Sequence, residues 1–302
     1  MQQRTLRKNC SFEGKGLHTG KVARMTIAPA PENSGIRFIR TDIGPDAVVE
    51  ALATNVSNTA RSTTLTRNGV SVVTVEHILS ALTGMGIDNA LVILDNEEVP
   101  ILDGSAKPYC EAILAAGVAE QDAERRYIEI PEEIVYEDAV KGIKVTVTPT
   151  DKEPSWDIRV DFNSQVVGVQ GAQWNPSMDY AAEIAPCRTF VFFHEIEYLF
   201  KNNLIKGGDI DNAIVIVEHP VPRERVEALC SGLNIPVPAY TGVGYLDNMA
   251  LHFPNECSRH KMLDLLGDLR LCGGFLKADV RAVKTGHFVN AQVAKLIIEK
   301  KK

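Results

Sequence analysis

Several large classes of protein are excluded by what this chain lacks. None of its apolar runs approaches the roughly 18 residues of a membrane-spanning helix. The opening "MQQRTLRKNC" has no apolar core of a secretory signal. The expectation is therefore a cytoplasmic protein with no stable membrane insertion. Positive charge is also short: 32 Lys and Arg stand against 39 Asp and Glu, for a net charge of -7 and a pI near 5.6. Such a field argues against nucleic acid or an anionic membrane surface as the main partner, while leaving room for a local basic site facing a phosphorylated ligand. The six cysteines, Cys10, Cys110, Cys187, Cys230, Cys257 and Cys272, include no C-x-x-C pair. That spacing speaks for reduced thiols rather than a structural zinc site or a disulfide framework. With 45% hydrophobic and 24% charged residues, disorder is excluded as well.

What remains is a folded chain of 302 residues, longer than a single core usually extends. Short alternating segments between Gly, Pro and Asn breaks ("KVARMTIAPA", "SGIRFIRTD", "DAVVEALATNV") predict strands in the first 55 residues. A helix is predicted from about Val75 to Thr83 with Thr74 as its cap, then a buried strand "NALVIL" and a second helix ending at Gly117. The polar run "EQDAERR" (Glu120 to Arg126) is the expected boundary between domains 1–122 and 127–302. Strand patterns resume after it, and both halves are expected to end in a helix, giving an α+β protein of two similar layers. "GIDNALVIL" (86–94) and "DIDNAIVIV" (209–217) echo each other, as two turns feeding buried strands would.

The chemistry concentrates around a few of the seven histidines. In "HKMLDLLGDL" (260–269), His260, Asp264 and Asp268 recur every four residues and so share one helical face, with Lys261 about 100° around. His260 and Asp264 can hold one cation between them, or simply form a local hydrogen bond on a solvated face. Asp268 extends the stripe and suits a carboxylate that orients another histidine or a water. His77, preceded by Glu76, offers a third ligand: two His and one Asp leave a zinc ion an open position for a water of lowered pKa, whose proton a nearby Glu can take. His287 in "KTGHFVNAQ" can, when protonated, stabilise a tetrahedral intermediate and protonate a leaving amine. Thr189 in "CRTFVF" offers a hydroxyl to an oxyanion.

"GLHTG" (16–20), "TVEHILSAL" (74–82), "GIDN" (86–89), "ILDGSA" (101–106), "CRTFVF" (187–192), "HKMLDLLGDL" and "KTGH" (284–287) follow one another in an order and spacing that resembles the UDP-3-O-acyl-N-acetylglucosamine deacetylases. In Gram-negative bacteria these enzymes perform the committed step of lipid A biosynthesis. The resemblance runs from about Thr5 to about Ala294. It implies two βααβ-type domains whose sheets sandwich the helices, with the active site at the domain interface. It implies hydrolysis of the N-acetyl group of UDP-3-O-((R)-3-hydroxyacyl)-N-acetylglucosamine to the free amine and acetate. His77, His260 and Asp264 are then ligands of Zn2+, or of Fe2+, which fits the same set. Glu76 is the base, His287 the cationic partner of the intermediate and leaving amine, Asp268 its orienting carboxylate, and Thr189 a partner of the oxyanion. Lys261 meets the diphosphate, while Phe162 and Phe192 match aromatic residues around the nucleotide and sugar.

The stretch from Phe192 to about residue 220 is similar to the family's insert for the substrate's acyl chain, with Phe192, Phe193, Ile196, Leu199, Phe200 and Leu204 as candidates to line a passage or to form the insert's own small core. Two positions depart from the pattern of some members: Ser62 stands where they have a cysteine near the metal, and Glu195 where they have Asp, which puts a nucleotide contact in doubt. The subgroup most resembled carries a fused 3-hydroxyacyl-[acyl-carrier-protein] dehydratase domain, a possible partner activity of the full-length protein. Two other readings of the same residues are a nucleotide-sugar binder with a structural zinc, which has no use for Glu76, and a zinc amidase acting on a peptide, which has none for Lys261 and the apolar insert.

Overall fold

Alternating burial along short segments explains why so many of them are strands. In Val22–Pro29, for example, Ala23, Met25 and Ile27 face inward while Val22 and Arg24 face solvent. A computed structural model describes residues 1–301 other than 202–205, 207–211, 234, 240–241 and 247–248. The first half contains β1 (Gln2–Leu6), β2 (Cys10–Lys15), β3 (Val22–Pro29), β4 (Ile36–Arg40), β5 (Val48–Glu50), β6 (Val56–Asn58), β7 (Thr64–Arg67) and β8 (Val70–Val72). Helix α1 (Glu76–Gly84), β9 (Ala90–Leu94), α2 (Lys107–Ala116) and β10 (Val118–Glu124) complete it. The second half contains β11 (Tyr127–Ile128), β12 (Ile134–Asp138), β13 (Ile143–Pro149), β14 (Trp156–Asp161), β15 (Val169–Trp174) and α3 (Tyr180–Glu183). It continues with β16 (Phe190–Phe192), α4 (Phe193–Lys201), β17 (Ile214–Val217), α5 (Arg223–Leu233), β18 (Gly244–Tyr245), α6 (Glu256–Leu269), β19 (Phe275–Leu276), β20 (Ala278–Val283) and α7 (His287–Lys300).

The two halves repeat one topology. The first sheet has the order β2-β3-β9-β4-β5 and the second β12-β13-β20-β14-β15. In each, one pair is parallel, β9 with β4 and β20 with β14, and the others are antiparallel. A helix precedes the central strand in each half (α1, α6) and another follows it (α2, α7). The helices lie between the sheets: α1 packs on α6, α2 on β2, α6 on β14 and β15, and α7 on β12. One continuous apolar core includes Ile27, Phe38 and Val92 from one sheet, Val145, Ile158 and Val280 from the other, and Ile78, Leu82, Leu263 and Val293 from the helices. This is the expected α+β sandwich. Among the described residues no helix is long and apolar enough to cross a membrane.

Two local expectations change. Thr74 does not cap α1: its backbone is left-handed (φ 61°) and its hydroxyl donates to Glu98 Oε1 at 2.9 Å instead. The polar run at the expected boundary belongs to a strand, 118–124, paired antiparallel with β1, because its alternating residues half-bury one side. The first half accordingly ends in a strand and not a helix. The echoing segments are both buried strands, as expected, but occupy different places: β9 is central in the first sheet, whereas β17 pairs with β16 and β18 in a separate small sheet, and residues 209–211 lie outside those described. The topological counterpart of β9 is β20.

Candidate metal centre and active site

The start of α1 and one face of α6 meet across the helix pair. Gly267 permits the approach: a Cβ built there would lie 2.1 Å from the backbone oxygen of Glu76. Every residue of the predicted stripe falls in α6, with His260, Asp264 and Asp268 each at most 2% exposed. His77 from α1 joins them, and donor atoms of His77, His260 and Asp264 all lie within 4.8 Å of one another.

This cluster fits a divalent cation on three counts. Asp264 Oδ1 is buried with no hydrogen-bond partner, and it lies 3.4 Å from His260 Nε2 and 3.8 Å from His77 Nε2. Ligand bonds of roughly 2.0–2.1 Å in a tetrahedron put donor atoms about 3.3 Å apart, close to this spacing. His260 Nδ1 lies 3.0 Å from the carbonyl of Cys187, so that nitrogen carries the proton and Nε2 keeps its lone pair for the centre. Charge states agree with geometry. Burial and the neighbouring His260 push the His77 imidazole down to about 3, and burial lowers His260 against the pull of Asp264. Burial disfavours a charge on Asp264, but Lys261 and three imidazoles outweigh it and hold the carboxyl well below its usual range. Two neutral imidazoles thus face one carboxylate.

Beside the cluster stand the other candidates. His287, the first residue of α7, has Nε2 3.9 Å from both Glu76 Oε1 and Asp264 Oδ2. Its Nδ1 donates to Asp268 Oδ2 at 2.9 Å. A positive charge is disfavoured at a helix N-terminus, and burial opposes it too. Asp268, Asp264 and Glu76 together win, raising the pKa of His287 to about 9. Asp268 also accepts from Thr63 Oγ1 (2.6 Å) and from Asn290 Nδ2 (2.9 Å). Glu76 is 2% exposed, and Thr63 N donates to its Oε2 at 3.0 Å. Burial pushes the Glu76 carboxyl up to about 8, with His287 pulling it down and Asp268 and Asp264 adding to the rise.

These groups open on a cavity of about 220 Å³ lined by Glu76, His77, His260, Lys261, Asp264 and His287, and also by Thr189, Phe162, Phe190 and Phe192. Phe162 packs 5.2 Å from Phe190 and 6.0 Å from Phe192, between ring centres, as an aromatic wall. Lys261, expected at a diphosphate, has its ammonium 2.7 Å from Asp264 Oδ2. A second, apolar cavity of about 120 Å³ is lined by Phe193, Ile196 and Leu199 of α4, with Val215, Val226 and Leu229 opposite. It shares Leu17, His18, Arg61, Thr189 and Phe190 with the first. Of the six candidates for the passage, Phe192 lines the polar cavity, while Leu204 and the side chain of Phe200 lie outside the described residues. Ser62 is buried, and Glu195 pairs with Arg61 at 3.4 Å.

Sequence reasoning missed Thr63, Asn290, Phe190 and Arg61. Asn290 lies three residues after His287 on the same helix, a spacing that signals a shared face. Thr63 and Arg61 sit in a loop with no periodicity to read.

A profile of the family described as UDP-3-O-acyl N-acetylglycosamine deacetylase matches residues 3–227 and 239–299. The bifunctional enzyme LpxC/FabZ of Porphyromonas gingivalis is 40% identical over 296 residues, 98% of this chain and 64% of the relative. The protein of the same name from Bacteroides thetaiotaomicron is 40% identical over 295 residues, with the same two shares. The UDP-3-O-acyl-N-acetylglucosamine deacetylase of Teredinibacter turnerae is 36% identical over 313 residues, 99% of this chain and 91% of the relative. The chain therefore spans just under two thirds of the bifunctional relatives and nearly all of the third. With sequence match, repeated sheet topology and buried His-His-Asp cluster in agreement, the chain belongs to the UDP-3-O-acyl N-acetylglycosamine deacetylase family.

Proposed function

We propose that this chain removes the N-acetyl group from UDP-3-O-((R)-3-hydroxyacyl)-N-acetylglucosamine, releasing acetate and the free amine, as a step of lipid A biosynthesis. The observation that carries the reading is the opposition of Glu76 and His287, 3.9 Å apart beside the three-donor cluster. His77, His260 and Asp264 would hold Zn2+, or Fe2+ where that ion is available. Such an ion, when bound, supplies Lewis acidity that polarises the amide carbonyl and lowers the pKa of water.

The remaining work belongs to the chain's own side chains. Glu76 takes the proton of the attacking water as its oxygen bonds to the acetyl carbon; burial gives this carboxylate a proton affinity near neutrality, where general bases work best. Thr189 directs its hydroxyl to the oxyanion that forms. His287, cationic below about pH 9, faces the same centre through Nε2 and gives its own Nε2 proton to the nitrogen as the C–N bond breaks, becoming neutral while Glu76 keeps the proton taken from water. Asp268 fixes the ring by accepting from Nδ1. Lys261 provides the positive charge for the diphosphate, Phe162 and Phe192 flank the nucleotide and sugar, and the acyl chain occupies the cavity behind Phe193, Ile196 and Leu199.

The test is acetate release from the acylated UDP-sugar and from its chain-free analogue, with the metal-loaded protein. Release from the acylated compound with a lower kcat/KM for the analogue is expected. No release would overturn the activity, and preference for the analogue would overturn the acyl passage.

A further inference from the structure

The motif "GLHTG" remains unused by the chemistry above, and beside it lies a buried acid to which that chemistry gives no role. Glu98 is 1% exposed, and several donors converge on its carboxylate. His18 N lies 3.0 Å from Oε1 and 3.2 Å from Oε2, while Thr19 N and Thr19 Oγ1 donate to Oε2 at 2.8 and 2.7 Å. Thr74 Oγ1 donates to Oε1 at 2.9 Å. The carboxylate fits only because residue 16 has no side chain: a Cβ there would lie 2.3 Å from Oε2. The backbone is tied as well, with Val73 N donating to Glu97 O at 2.9 Å and Val99 N to Val73 O at 3.1 Å.

Both ends of this knot reach the site. Leu17 and His18 line the polar and the apolar cavity alike. Thr74 holds a left-handed backbone, costly for a β-branched residue, two residues before Glu76 and three before His77. Such a conformation persists only where its surroundings over-determine it, and here the hydroxyl bond to Glu98 on one side is matched by Val75 N donating to Thr63 O at 3.2 Å on the other.

We propose that Glu98 is a positioning residue for the reaction: its buried carboxylate locks the 16–20 loop, the wall shared by both cavities, to the left-handed turn that aims Glu76 and His77. The two arms then affect different quantities. The Thr74 arm sets the base and one metal donor, so it governs kcat and metal affinity. The Thr19 arm sets the cavity wall, so it governs KM. This assignment rests on the proposed deacetylation for its kinetic arm but not for its metal arm.

The experiment compares Glu98→Gln, Gly16→Ala, Thr74→Ala and Thr19→Val with the unaltered protein. Zn2+ affinity is measured by titrating metal-free protein against a chromophoric chelator, alongside kcat, KM and thermal midpoint. Replacing a partner that orients a ligand typically costs about 10–100-fold in affinity or activity. Glu98→Gln and Gly16→Ala are expected to weaken Zn2+ binding about tenfold, lower kcat and raise KM. Thr74→Ala is expected to lower kcat and metal affinity at unchanged KM, and Thr19→Val to raise KM at unchanged metal affinity. A lower thermal midpoint with KM and metal affinity unchanged in all four would make the knot merely structural and overturn the proposal. If the unaltered protein releases no acetate, the proposed function fails by itself, and the Zn2+ titrations still decide the role of Glu98.

Discussion

Glu76 and Glu256 open the two helices that precede the central strand in each half, α1 and α6, and both are buried. Their surroundings drive them in opposite directions. Around Glu76 no guanidinium among the described residues answers the burial, and its carboxyl is pushed up to about 8. Around Glu256 burial is outweighed by Arg188, whose Nε donates to Oε1 at 2.9 Å, and by the backbone N–H groups of Arg188 and His252, so its carboxyl falls below the ordinary value. A duplicated frame thus places an acid at the start of each helix, and partners decide which one can move a proton. The helices differ in the same sense. The nine-residue α1 gives the centre only its first two residues, while the fourteen-residue α6 gives a whole face. Neither half holds a site by itself.

The sharpest way to break this comparison is Glu76→Gln. If Glu76 acts as the base, acetate release falls about 10²–10⁴-fold while bound metal stays, since an amide oxygen can still accept from Thr63 N. Loss of the metal in this variant would make Glu76 a structural acid like its counterpart. Glu256→Gln is the converse. It weakens charge-assisted bonds worth about 1.5–3 kcal/mol, which is measured as a lower urea midpoint with kcat unchanged in the protein that remains folded. The sign with pH follows from the lowered pKa: the contribution is present above the ordinary glutamate pKa near 4.5 and is lost as pH falls through the lower folded value. Acid therefore narrows the gap between Glu256→Gln and the unaltered protein; a gap that widens in acid would contradict the assignment.

Next in size is the contact that lets the halves meet. A methyl group at Gly267 would overlap the backbone of Glu76, and relief requires α1 and α6 to separate. Gly267→Ala is expected to cost about 1–3 kcal/mol of stability. Because His77 and the α6 ligands sit on opposite sides of that crossing, it should also weaken metal binding. Unchanged metal affinity in a destabilised variant would show that the centre tolerates movement of the two helices.

What the sequence disclosed follows the range of the interactions. The stripe His260, Asp264, Asp268 was legible because a helix repeats every 3.6 residues, and every member of it falls on α6. The strands β3 and β9 were legible from alternation and apolar runs. Thr74 misled because capping is a local rule, and Glu98, 24 residues onward, competes for the same hydroxyl. The polar strand β10 escaped because its partner β1 lies more than a hundred residues away, and only pairing identifies an edge with so little apolar surface. Thr63 supports Glu76 and Asp268 from an aperiodic loop, so nothing short of the fold could assign it.

The smallest effect is expected where the two halves touch through their inserts. Each half interrupts the shared frame at the same point, before α1 with β6 to β8 and before α6 with β16 to β18. The inserts meet at Arg61 and Glu195, two residues of the cavity lining 3.4 Å apart, with side chains 39% and 35% exposed. An ion pair so open to water contributes about 0.2–1 kcal/mol and is screened by salt. Arg61→Ala should therefore shift the urea midpoint slightly at low ionic strength and hardly at all in high salt. A large, salt-insensitive loss would mean that the inserts hold the halves together, and the buried helix crossing would no longer be the principal joint.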